Sequence, residues 1–129
     1  MEMGYCLYGA ELTEDRNPWE AGLGRLVHME KRAFIGKEAL ARLAETAPIR
    51  RLAALTLEAG IPRSGYRIFS GAQEVGVVTS GGFSPSLGKG MGLGYIDSEF
   101  AVAGAELQVD VRGKLFPAAV QERPLYRRK

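Results

Sequence analysis

Glu106-Leu107-Gln108-Val109-Asp110-Val111-Arg112 alternates apolar and polar side chains without a break. Successive side chains of an extended chain point to opposite faces. Leu107, Val109 and Val111 therefore share one face, and Glu106, Gln108, Asp110 and Arg112 the other. This is the cleanest strand in the chain, and its neighbours follow suit. Arg112-Gly113-Lys114 turns it into a last strand pair. Upstream, Ala53, Leu55 and Leu57 alternate with Ala54, Thr56 and Glu58. Tyr66 to Phe69 and Glu74 to Thr79 are joined by Ser70-Gly71-Ala72-Gln73, a hairpin signal. Several short strands with frequent turns over 49–129 predict a small antiparallel β-barrel or sandwich.

Gly88, Gly90, Gly92 and Gly94 are the oddest local feature. In a strand they share a face, which is then bare backbone, while Lys89, Met91, Leu93 and Tyr95 occupy the other. A bare face suits a sharp bend in a barrel or the close approach of a ligand. The stretch does not open a helix as dinucleotide loops do. The reading is therefore that protein covers the face, either a neighbouring strand or residues 1–48.

Residues 1–48 read as mixed loop and helix. Asn17-Pro18-Trp19-Glu20 has the form of a helix start, with Asn17 as cap, Pro18 in the first turn and Glu20 reaching back to a free N–H. Gly22 and Gly24 oppose a long helix there. Leu26 to Met29 suits a short strand. Gly36 to Glu45 is the better helix: Leu40, Leu43, Ala44 and Ala47 recur at helical spacing, and Pro48 stops it. That stripe predicts a helix packed against the barrel. The expected class is mainly β with some α (α+β).

The 129 residues suit one modest domain, or a small domain with a piece of another. Hydrophobic residues make up 46% and charged residues 25%, enough to build a core without staples. The net charge of +2 gives no global argument for nucleic acid. Its basic excess is local, at Arg123, Arg127, Arg128 and Lys129. Cys6 is the only cysteine, so no internal disulfide forms, which favours a reducing, cytoplasmic setting. No apolar run approaches membrane-spanning length.

Three kinds of chemistry fail on residue type and spacing. His28 and Cys6, the sole histidine and thiol, offer no zinc spacing and read as a surface or strand histidine and a buried thiol. No serine sits in a G-x-S-x-G elbow, so nothing supports a hydrolase. Gly82 to Lys89 mimics a phosphate loop, but five residues separate Gly82 from Gly88 where four are needed, and Gly90 stands where Ser or Thr must hold magnesium.

The stretch Gly76-Val77-Val78-Thr79-Ser80-Gly81-Gly82-Phe83-Ser84-Pro85-Ser86-Leu87-Gly88-Lys89, continued by Met91-Gly92-Leu93-Gly94-Tyr95-Ile96, resembles the C-terminal barrel of glycine cleavage T proteins. Gly4-Tyr5-Cys6-Leu7-Tyr8-Gly9, Asn17-Pro18-Trp19-Glu20-Ala21-Gly22-Leu23 and Phe34-Ile35-Gly36-Lys37-Glu38-Ala39-Leu40 match the same family in the same order. The resemblance spans essentially the whole chain. It implies a C-terminal portion of a tetrahydrofolate-dependent aminomethyltransferase, which takes a one-carbon unit from an aminomethyl-lipoyl carrier protein and releases ammonia. Residues 1–48 are then the end of a folate-binding middle domain and 49–129 the barrel. Met1 becomes an internal position, which leaves an organelle-targeting segment open. The family's catalytic aspartate lies upstream, so the resemblance implies no catalytic residue here and an inactive isolated chain. Tyr5 falls where the family lines its folate pocket. Arg127 falls near the family's C-terminal ligand contact, with Tyr126 and Arg128 as alternatives. The same architecture serves folate-dependent demethylating oxidases and folate-binding proteins of iron–sulfur assembly. A non-catalytic barrel that binds protein or RNA through 123–129 is the reading of a different class. Neither a metal, a membrane nor a nucleic acid is expected.

Overall fold

A computed structural model describes residues 1–126 of the chain. Six strands, β1 (Arg50–Leu57), β2 (Arg67–Ser70), β3 (Gln73–Ser84), β4 (Lys89–Asp97), β5 (Glu106–Val111) and β6 (Lys114–Gln121), close into a barrel in the order β1-β4-β3-β2-β5-β6. Every pairing is antiparallel, and β6 returns to β1. Closure removes sheet edges, which would otherwise be templates for aggregation.

The alternation at 106–111 appears as expected. Leu107 and Val109 are buried in the barrel with Leu55, Leu57, Ile68, Val78 and Val120. Arg112 and Gly113 turn the chain with φ 56° and 85°. Both angles fall in the left-handed region that a tight hairpin needs.

The glycine row explains how so small a barrel closes. Gly90, Gly92 and Gly94 pair with Leu57, Leu55 and Ala53, so they share the inward face of β1. Large side chains on one strand fill the room left bare on the next. Fully buried Pro62 caps this region: a Cβ on Gly92 would lie 2.8 Å from the Ser80 carbonyl oxygen and 3.2 Å from Pro62 Cγ. Protein covers the bare face, and the cover is the barrel's own interior, not residues 1–48. Gly88 is the exception. It lies in the β3–β4 turn with φ 67° and nothing near its missing side chain. In β3 the register shifts between Val78 and Ser80, so Thr79 is the extra residue of a bulge.

Residues 1–48 cover the outside of β1 and β4. Leu52, Ala54, Leu93 and Tyr95 form a second apolar cluster there, joined by Cys6 and Leu125. This is why 52–55 is buried on both faces although its sequence alternates only weakly. Asn17 makes its expected cap, accepting from the Trp19 and Glu20 N–H groups at 3.0 Å each, while Glu20 accepts from Asn17 N–H at 2.9 Å. The capped element is only a run of turns. Gly22 at φ 71° ends it, and the Glu20 carbonyl accepts from Leu52 N–H in β1 instead.

Two expectations are corrected. Leu26 to Met29 is not a strand: a 3-10 turn, Gly24–Leu26, occupies its start. The helix forms as α1, Lys37–Ala44, but none of its residues is buried and Leu43 is exposed. The 1–23 segment already occupies the barrel's outer face, which leaves the apolar stripe of α1 without a seat on it.

Candidate functional site

The first eight residues present an unusual surface. Tyr5, Leu7 and Tyr8 are 77%, 66% and 76% exposed, and Met1 and Met3 are about half exposed. Large apolar side chains left exposed within so short a segment mark an interaction surface. Two polar ties hold the segment in this pose. Glu2 accepts from the Ser84 hydroxyl and from the Ser86 hydroxyl at 3.1 Å, which fastens it to the β3–β4 turn. The Ser84 bond, aided by Ser86, holds the Glu2 carboxyl below the usual carboxylate range.

The second tie is Glu11. It is fully buried, with its carboxylate accepting from Leu7 N–H at 2.9 Å and from the Thr79 and Ser80 hydroxyls at 2.6 Å each. The bulge at Thr79 lets two successive residues of β3 offer hydroxyls to one oxygen. Tyr95 donates its hydroxyl to the Glu11 carbonyl at 2.9 Å, and the Arg16 guanidinium lies 4.2 Å from the Tyr95 ring centre. Burial pushes the Tyr95 phenol up to about 12.

Tyr5 opens onto a groove of about 670 Å³ whose lining includes Met3, Gly4, Cys6, Leu23, Arg25, Arg123 and Pro124. Its volume is in the range of small-molecule sites. Arg123 is seated in it. The stem packs against Gly4, where a Cβ would lie 3.0 Å away, and Nη2 occupies the space a Cβ on Gly22 would need, at 2.6 Å. Nη2 donates to the Ala21 carbonyl at 3.2 Å and Nη1 to Cys6 Sγ at 3.7 Å. Cys6 is half-buried here, not buried as expected. Both glycines hold positive φ, 65° and 71°, so neither takes a side chain without strain.

Of the two residues the sequence singled out, Tyr5 is at the groove. Arg127 lies outside the described residues. Tyr126, its named alternative, donates its N–H to the Glu2 carbonyl at 3.2 Å, which brings Tyr126 alongside the first segment. Glu11 and Arg25 escaped the sequence reading, and Arg123 entered it only as part of the basic cluster at the C-terminal end. Glu11 has partners 68 and 69 positions away, and Arg123 one 117 positions away, so no local pattern could announce them. His28 lies exposed, 2.9 Å from Glu30. Among the described residues no group of three His, Cys, Asp or Glu is placed to hold a metal ion, and no helix is long and apolar enough to cross a membrane.

The sequence profile described as the glycine cleavage T-protein C-terminal barrel domain matches residues 50–127. The chain belongs to the glycine cleavage T-protein family. Relatives extend the likeness over the whole chain. It is 48% identical over 125 residues, 96% of its length, to an aminomethyltransferase of Desulforamulus reducens. It is 47% identical over 130 residues, 99% of its length, to an aminomethyltransferase of Synechococcus. The crystal structure of the glycine cleavage system aminomethyltransferase T of Bartonella henselae superposes with a TM-score of 0.89 at 33% identity, over 97% of this chain. The chain spans about a third of each: 34%, 36% and 36%. The T-protein barrel expected from the sequence is thus the fold observed.

Proposed function

We propose that this chain is the C-terminal third of an aminomethyltransferase, which transfers a one-carbon unit from the aminomethyl-lipoyl arm of a carrier protein to tetrahydrofolate and releases ammonia. The observation that carries the reading is the identity of 48% over 96% of the chain to a protein of that name. In this reading residues 1–48 complete a domain that precedes the barrel. Support comes from the different build of residues 1–48, which hold a 3-10 turn and α1 but no strand of the barrel, and from the apolar side chains exposed there, including Met3, Tyr5, Leu7, Tyr8 and Ile35. Such a surface costs free energy in water and gains it when another domain covers it.

The groove beside Tyr5 suits part of a folate. Its exposed phenol ring offers a flat face for the aminobenzoyl group, and guanidinium groups suit the carboxylates of the glutamate tail. Arg127 belongs to the same role by resemblance. Tetrahydrofolate supplies the amine nitrogens that take up the one-carbon unit. The chain's own residues bind and orient: Glu11 and Glu2 fix the 1–12 segment, and the segment holds Tyr5 at the groove. No residue among them is assigned a proton transfer. Joining the upstream two-thirds of the Desulforamulus relative to this chain and measuring tetrahydrofolate-dependent ammonia release tests the proposal. An inactive but folded chimera would contradict it.

A further inference from the structure

We infer that the outer face of the barrel carries a second binding site, a groove along β6 that seats an extended peptide segment bearing lysine or arginine. The site is independent of the proposed function, and its lining shares no residue with that of the Tyr5 groove. Strand register lays it out. Ala118 and Val120 are buried inside the barrel, so Leu115, Pro117 and Ala119 turn outward along β6. On β5, Glu106 stands opposite Ala119 and Gln108 opposite Pro117. On the other side, Thr56 of β1 stands opposite Ala119, and Glu58 lines the groove beyond it. The short side chains of Pro117 and Ala119 thus lie in a trough between longer ones, about 550 Å³ in volume.

Charge and width select the occupant. Among the described residues two carboxylates, Glu58 and Glu106, and one ammonium, Lys89, line the groove. Lys89 is committed to Glu58 at 2.6 Å, and among the described residues Glu106 has no ion-pair partner. The groove is therefore acidic in a chain whose net charge is +2. It repels phosphates and carboxylates and suits a cation. Neighbouring strands lie about 4.8 Å apart, so the walls on β5 and β1 stand about 10 Å apart, room for one extended chain. A lysine or arginine stem rests on Pro117 and Ala119 while its head reaches Glu106. The amides of the segment meet Gln108, Gln121 and Thr56. The Thr56 hydroxyl accepts from Gln121 Nε2 at 3.2 Å and keeps its own hydrogen to donate. Closure leaves no strand edge to pair with, so side chains hold the segment and no strand is added to the sheet.

The test is a titration of two acetylated, amidated pentapeptides into the 129-residue chain, followed by nuclear magnetic resonance. One alternates valine with lysine, the other valine with glutamate. The lysine peptide gives saturable shifts at the amides of Thr56, Glu106, Gln108 and Ala119, weaker as salt rises, and none at Gly4 or Gly22. The glutamate peptide gives none. Spermidine, a cation without a peptide backbone, binds roughly tenfold more weakly because it has nothing to offer the two glutamines. Glu106→Gln, at an exposed position, weakens the lysine peptide about threefold, the share of an exposed ion pair, and flattens its salt dependence. Ala119→Leu fills the trough from an outward position and abolishes binding at an unchanged melting temperature. Absent shifts, equal binding of the two peptides, spermidine binding as tightly as the lysine peptide, or unchanged affinity in Glu106→Gln each overturn the inference. A lysine peptide that binds the isolated chain but not the chimera with the upstream part of the Desulforamulus relative also overturns it, since the groove is then filled from within.

Discussion

Glu11 is a buried carboxylate whose donors come from both sides of a joint: Leu7 N–H from the first segment, Thr79 and Ser80 from the barrel. Glu11→Ala strands all three donors. Since hydrogen bonds to a charged acceptor contribute about 1.5–3 kcal/mol each and lost ones are partly resatisfied by water, the expected loss is about 2–4 kcal/mol in urea denaturation. A loss below about 0.5 kcal/mol, the level of an ordinary surface substitution, would remove Glu11 from the joint. Tyr95 next to it gives a pH dependence. Its phenol is raised by burial from 10.0 to about 12, so the folded state holds the proton more tightly than the unfolded chain. Its stabilising share is complete below pH 10.0 and is lost as pH rises toward about 12. Thermal melts across that window should fall more steeply for wild type than for Tyr95→Phe. Equal slopes would contradict the assignment. Neither role was legible in the sequence: a lone Glu in a loop and a Tyr in a glycine-rich strand acquire meaning only when residues 11, 79 and 95 meet.

The strands were legible as elements because alternation is a local property. Glu106 to Arg112 needed no partner to declare itself, and β5 runs Glu106–Val111. Reading the glycine row as one whose bare face meets protein worked for Gly90, Gly92 and Gly94, because a missing side chain there implies a near neighbour, and failed at Gly88, which meets nothing. Which neighbour was beyond sequence: Pro62, Ile68 and the carbonyls of Gly60, Val77 and Ser80 arrive through barrel closure. Gly92→Val should lower the melting temperature by several degrees, the equivalent of the ~1–3 kcal/mol that overpacking costs, with more if β3 must move. Gly88→Ala meets open space and bears only the left-handed backbone penalty of about 1–2 kcal/mol. Differential scanning calorimetry that ranks Gly88→Ala as the more harmful would invert the account of the row. The helix was legible as a helix, but the helical spacing of Leu40, Leu43 and Ala44 says only that an apolar stripe exists. It does not say which surface receives it, and α1 buries none of its residues in this chain.

At the scale of the molecule, a closed barrel with an apolar interior is joined to a segment that covers one outer face and turns apolar side chains outward. The barrel depends on its own closure, and the segment depends on the barrel through Glu2, Glu11 and the cluster at Leu52, Leu93 and Tyr95. In the proposed reading, the outward side chains, with Ile35 fully exposed, are covered by the rest of a longer protein; the chain spans about a third of the Desulforamulus relative. The measurement that tests this most directly is aminomethyl transfer by three samples: the isolated chain, the upstream two-thirds of the Desulforamulus relative, and the two joined as one polypeptide. The account predicts tetrahydrofolate-dependent ammonia release from the joined protein alone. Activity in the isolated chain, or a folded joined protein that releases no ammonia, would contradict it.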